Sequence, residues 1–140
     1  MAEVQTTNQS ILVVGGGMSG ITSALEAAEA GYDVVLVEKN PYLGGRVTQL
    51  YQYFPKLCPP NCGLEINFRR TRQNSKIRFF TLAEVANISG AEGNYDVTIK
   101  LSPRYVNDKC TCCGKCSDVC EAEIENPFNF GMDKMKAAYL

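Results

Sequence analysis

The chain has 140 residues, 45% hydrophobic and 21% charged, the balance of one folded domain or a domain with a small appendage rather than of a disordered tail. With 14 basic and 15 acidic residues the net charge is -1, so composition offers no general pull toward nucleic acid or an anionic membrane. There is no histidine, which removes histidine triads, Cys2His2 zinc sites and histidine-ligated haem.

Residues 1–10 are polar, with Glu3 the single charge, and do not read as a secretory signal. No apolar run is long enough to span a bilayer, so direct membrane insertion is not expected. Of seven cysteines, five fall between Cys110 and Cys120. Clustered cysteines without an export signal point to a reduced cytoplasm and metal ligation rather than to a disulfide scaffold.

Residues 11–14 form an apolar run that ends in glycines, the pattern of a buried parallel strand. Residues 19–30 predict a helix, with Ile21, Ala24, Leu25 and Ala28 on one face and Gly31 at its C-terminal end. Residues 33–38 predict a second buried strand. Together they make a βαβ unit, so the expected class is α/β with a Rossmann-like half-fold.

Gly15-x-Gly17-x-x-Gly20 lies between the first strand and the helix. In that context Gly15 permits the tight turn, Gly17 lets backbone approach a pyrophosphate, and Gly20 lets helix and strand pack closely. The helix N-terminus offers unpaired N–H groups to phosphate oxygens. A carboxylate is then needed at the end of the second strand for the ribose hydroxyls, and Glu38 stands 18 residues beyond Gly20. Its charge would repel a 2′-phosphate, which argues against NADP. The alternative is a tight structural turn with no ligand.

Residues 40–67 read as a long irregular stretch, rich in Gly, Pro and Tyr and containing Cys58-Pro-Pro-Asn-Cys62. That spacing fits no common motif and favours packed or free thiols over ligands or a redox-active pair. Residues 68–73 are helical in pattern, and Arg69, Arg70 and Arg72 suit a solvated face. Residues 77–81 predict a third strand. Residues 84–89 and 95–101 predict a hairpin turned at 90–94, with alternation from Tyr95 to Leu101 and a break at Pro103.

Cys110-x-x-Cys113-x-x-Cys116-x-x-x-Cys120 is the bacterial ferredoxin spacing for a [4Fe–4S] cluster. Zinc also takes thiolates, but usually from two Cys-x-x-Cys knuckles separated by a longer loop. Two features depart from the ferredoxin pattern. Glu121 rather than Pro follows Cys120, and there is no second complete run, so Cys120 either closes the same cluster or awaits other ligands. Cys112 is an extra thiol inside the loop. Residues 126–140 are a mixed tail with no clear fold.

Gly44-Gly45-Arg46, a few residues beyond Glu38, resembles the second fingerprint of FAD enzymes of the glutathione-reductase and amine-oxidase type. The resemblance implies FAD, held by Gly15, Gly17, Gly20, Glu38, Gly45 and Arg46. The whole order of motifs resembles the flavoprotein A subunit of heterodisulfide reductase. Residues 37–46, 54–62 and 63–70 look closer still to the A subunit of the quinone-interacting membrane-bound oxidoreductase of sulfate reducers. That family implies an electron-transfer subunit carrying FAD and a [4Fe–4S] cluster, the latter on Cys110, Cys113, Cys116 and Cys120. It implies other oxidoreductase subunits as partners, including a membrane subunit linked to quinone and, by association, adenylylsulfate reductase. The location implied is cytoplasmic, peripheral to the inner membrane through those subunits. No side chain is assigned a catalytic role.

The expected organisation is an incomplete FAD-binding domain over residues 8–106, a ferredoxin-type segment over 107–121 and a tail over 122–140. Family members are much longer, so the chain reads as an N-terminal fragment that would hold FAD poorly by itself. Three alternatives stay open: an iron-only electron carrier, a zinc-stabilised nucleotide-binding or interaction module without redox activity, and an inactive remnant.

Overall fold

A computed structural model describes residues 10–139, which fall into two compact units, one ending at Arg104 and the other beginning at Tyr105. The expected start of the first segment, residue 8, lies outside the described residues.

In the first unit the apolar run before the glycines is β1 (Ser10–Val14), followed by α1 (Met18–Glu29) and β2 (Asp33–Glu38). A third parallel strand, β3 (Ile77–Thr81), completes a sheet in the order β1-β2-β3. Central β2 pairs Val14 with Val37 on one side and Thr81 with Glu38 on the other. This placement explains the composition of β2: Val34, Leu36, Val37 and Glu38 are all buried. The helical face anticipated in α1 packs on that strand, with Ile21, Ala24, Leu25 and Ala28 clustering with Val34, Leu36 and Ile77. Ile21 and Leu25 are at most 1% exposed, and each contributes roughly 1.5–3 kcal/mol of transfer free energy. At the end of α1, Gly31 adopts φ +103°, and its carbonyl accepts a 2.9 Å hydrogen bond from Lys76 Nζ.

The stretch expected to be irregular up to residue 67 is partly helical. A 3₁₀ turn occupies Gly45–Gln49, and α2 runs from Asn61 to Gln73. Pro60 stands at the helix N-cap with φ -59° and ψ -31°, so the Pro-Pro pair leads directly into a helix. Leu64 then buries against α1 in the same core. Arg70 ties the two helices together through Glu29 at 2.7 Å, while Arg69 pairs with exposed Glu65.

The hairpin is β4 (Ala83–Ala91) with β5 (Asn94–Leu101), longer than the sequence pattern predicts. Ala91 pairs with Asn94, which leaves a two-residue turn, and Gly93 supplies its positive φ of +81°. A cavity of about 600 Å³ lies between the hairpin and the sheet, lined by Ile11, Leu12, Val35, Val97 and Ile99 among others. The alternation in β5 thus has one side turned toward apolar surface.

In the second unit the tail, whose sequence shows no clear fold, contains an antiparallel ribbon. It is formed by β6 (Glu123–Glu125) and β7 (Lys134–Lys136) and follows the short helix α3 (Lys115–Val119). Lys136 Nζ donates to the carbonyls of Ser117 and Asp118 at 2.7 and 3.3 Å, satisfying acceptors at the end of α3. Among the described residues no helix is long and apolar enough to cross a membrane.

Candidate dinucleotide site and cysteine segment

The glycine turn is built from backbone. Gly15 N donates to Val37 O at 2.7 Å, locking the turn to β2, and Gly15 itself has φ +102°. Gly20 sits in the first turn of α1, where an added Cβ would meet the Gly15 carbonyl. This is the close helix–strand approach anticipated for the third glycine. Gly17 is the N-cap of α1, so no side chain caps the helix, and no acidic residue lies in its first turn. A Cβ added at Gly17 would meet no protein atom within 4 Å. The turn therefore presents uncapped amides beside open space, which suits an anion such as a pyrophosphate.

Glu38 is only 6% exposed, yet its carboxylate is satisfied. Oε2 accepts from Gly16 N at 2.6 Å and Oε1 accepts from Asn40 N at 2.8 Å. The acid at the end of β2 thus bridges the glycine turn and the loop that follows the strand. Each carboxylate oxygen keeps a further lone pair for a hydroxyl.

That loop returns the second glycine pair to the first. Gly44 N donates to Gly16 O at 2.7 Å, and Gly17 and Gly44 form a parallel bridge. Gly44 and Gly45 have φ +108° and +62°. A Cβ on Gly45 would lie 3.0 Å from Gly17 Cα. Gly15, Gly17, Gly20, Glu38 and Gly45 are therefore one cluster, and Arg46 stands exposed on the 3₁₀ turn directly after it. Two further anchors hold the loop. Leu82 N donates to Asn40 O at 3.1 Å, and Arg104 Nη2 donates to Pro41 O at 3.0 Å and Thr81 Oγ1 at 2.7 Å. No local sequence pattern marks Arg104, because its contact with Pro41 spans 63 residues.

In the second unit, Cys112 has φ +54° and Gly114 φ +79°, so the chain turns sharply within the cysteine run. Cys110 Sγ accepts from Cys112 N at 3.5 Å. The backbone N–H of Lys115, with the Thr111 hydroxyl second, holds the Cys113 thiol below its ordinary pKa. The amide of Ala138 does the same for Cys120, helped by the amides of Ala122 and Ala137 and by the Lys136 charge. Both thiols thus have donors suited to a thiolate, the form that binds soft metals. The four sulfurs are not gathered: among the described residues no three His, Cys, Asp or Glu side chains form a group that could hold a metal ion. Elsewhere, Cys58 is half-buried with its thiol toward Lys56 O at 3.7 Å, and Cys62 lies exposed in the first turn of α2.

A parallel sheet with a glycine turn leading into its first helix, and a strand-end acid beside that turn, defines a dinucleotide-binding α/β protein. The family model described as FAD dependent oxidoreductase matches residues 10–86, and the chain belongs to that family. Among curated relatives it is 42% identical to an iron-sulfur A subunit of the CoB–CoM heterodisulfide reductase of Methanopyrus kandleri, over 98% of this chain and 21% of that protein. It is 39% identical to the corresponding protein of Methanocaldococcus jannaschii, over 99% of this chain and 21% of that protein. The chain spans about a fifth of the length of these relatives. Thioredoxin reductase from T. acidophilum shares the fold at a TM-score of 0.52 and 19% identity, over 66% of this chain and 31% of that one.

Proposed function

We propose that this chain binds FAD on the glycine turn and serves as an electron-transfer part of a heterodisulfide reductase-like oxidoreductase. The observation that carries the reading is the convergence of Gly15–Gly20, Glu38 and Gly44–Gly45 around buried β2. Gly15, Gly17 and Gly20 shape the pyrophosphate cradle, with the first-turn amides of α1 as donors. Glu38 turns its remaining lone pairs to the ribose hydroxyls, and Gly45 and Arg46 flank the cradle from the second segment. Cys110, Cys113, Cys116 and Cys120 are the proposed ligands of a [4Fe–4S] cluster. Their spacing and soft-donor chemistry support this, as does the iron-sulfur name of the Methanopyrus relative. When bound, the flavin and the cluster supply the redox chemistry; the chain's residues bind, orient and tune them. The partners proposed are other oxidoreductase subunits, with adenylylsulfate reductase and a membrane subunit linked to quinone being the finer reading drawn from the resemblance.

The test is anaerobic purification of the chain, assays for iron, sulfide and zinc, and titration with FAD. About four irons per chain and saturable FAD quenching support the proposal. Zinc in place of iron overturns the cluster, and absence of any FAD or ADP binding overturns the dinucleotide site.

A further inference from the structure

We propose that Arg104 is a positioning residue for the adenosine half of the dinucleotide, an inference that rests on the FAD reading above. Between Glu38 and Gly44 the chain must cross from the strand-end acid to the second glycine pair. The near half of that crossing is fixed at two consecutive residues. Asn40 is held on both sides, its N–H by Glu38 Oε1 and its carbonyl by Leu82 N. Pro41 has no N–H, so its carbonyl is its one polar backbone group, and that carbonyl is taken by Arg104. The same Nη2 reaches Thr81 Oγ1, and its two hydrogens match the two acceptors.

Thr81 is the residue paired with Glu38 across β2 and β3. Arg104 therefore bonds the strand neighbour of the ribose acid and the loop that leaves that acid. Removing the guanidinium frees Pro41, and with it the placement of Asn40 N against Glu38 Oε1. The pyrophosphate cradle has separate supports, Gly15 N on Val37 O and Gly44 N on Gly16 O. The effect of Arg104 should consequently fall on the adenosine side. A lysine keeps the charge and has hydrogens enough for both acceptors, but its stem is shorter and lacks the planar guanidinium, so it restores the two bonds only in part.

The experiment titrates the full chain and the variants R104M, R104K and T81V with FAD, ADP and FMN, and records each thermal midpoint. R104M is expected to raise the Kd for FAD and for ADP alike by about five- to tenfold, the scale of losing one ordinary hydrogen bond because the effect reaches the ligand only through the loop, and to leave FMN unchanged. R104K should recover part of the loss, and T81V should show a smaller rise for the same two ligands. Wild-type affinities for FAD and ADP in all three variants overturn the inference, as does an equal loss for FMN, which marks a general effect on the fold. Should R104M fail to fold, R104K and T81V carry the same comparison. A wild-type chain that binds neither FAD nor ADP overturns the FAD reading itself, a result distinct from unchanged variants.

Discussion

Replacing Glu38 with Gln isolates the electrostatic role of the strand-end acid, because the two side chains have nearly the same shape. The native carboxylate is 6% exposed and accepts one backbone N–H on each oxygen, from Gly16 at 2.6 Å and Asn40 at 2.8 Å. A glutamine amide has one oxygen and one NH2. In either flip its NH2 faces a backbone N–H, so one donor is left buried and unpaired while the other bond becomes neutral. Hydrogen bonds to charged groups are worth about 1.5–3 kcal/mol, and an orphaned buried donor costs about 1–3 kcal/mol. The two effects overlap at the same atoms, so we expect a loss of roughly 2–4 kcal/mol. At about 4–8 °C per kcal/mol for a domain near 100 residues, the melting midpoint should fall by roughly 8–30 °C. Urea denaturation followed by far-ultraviolet circular dichroism measures the loss, with Glu84→Gln on the exposed face of the hairpin as a charge-matched control. A change below about 0.5 kcal/mol, the level of an ordinary surface substitution, would refute the bridging role of the carboxylate. FAD affinity, measured well below the midpoint, should fall in the same variant because the ribose loses a charged acceptor.

The third and second glycines of the turn should separate stability from binding. Gly20→Ala drives a Cβ into the Gly15 carbonyl, a backbone atom that cannot swing aside, and should cost about 1–3 kcal/mol in urea denaturation. Gly17→Ala meets no protein atom, so its stability should stay within about 1 kcal/mol of wild type while FAD binding weakens, because the new methyl stands in the cradle; the reverse pattern would place the ligand elsewhere. In metal-free protein, Cys113 and Cys120 should react with iodoacetamide down to a lower pH than free cysteine. Their pKa values are lowered by N–H donors, so more thiolate persists below the ordinary value and is lost only as pH falls through the depressed one. Peptide mass mapping across a pH series checks this, and a profile coincident with free cysteine would refute it.

The distance along the chain over which a constraint acts decides how much of it can be read in advance. The βαβ unit is legible because its signals are local: the run in β1, the spacing of Ile21, Ala24, Leu25 and Ala28, and a glycine just past the helix. The start of α2 is hidden, since between Pro60 and Phe68 only Leu64 is a buried apolar residue and most of that turn is polar or exposed. The hairpin turn reads too broadly from sequence because Gly90 and Gly93 both have positive φ, but only Gly93 stands between the strands' final pair. In the site, an acid is foreseeable at position 38, whereas its bond to Gly16 depends on the curl of the turn. Gly44-Gly45 is recognisable only by resemblance, because the bond that requires it, Gly44 N to Gly16 O, joins residues 28 apart. Arg104 lies further still, 63 residues from the carbonyl it holds. The cysteine run shows the opposite limit. Its spacing is entirely local and fully legible, yet convergence of four sulfurs is a property of three-dimensional arrangement that spacing permits without imposing. Metal analysis therefore tests the cysteine segment more directly than any substitution in it, while the glycine turn, whose bonds are already in place, is better tested by changing single atoms.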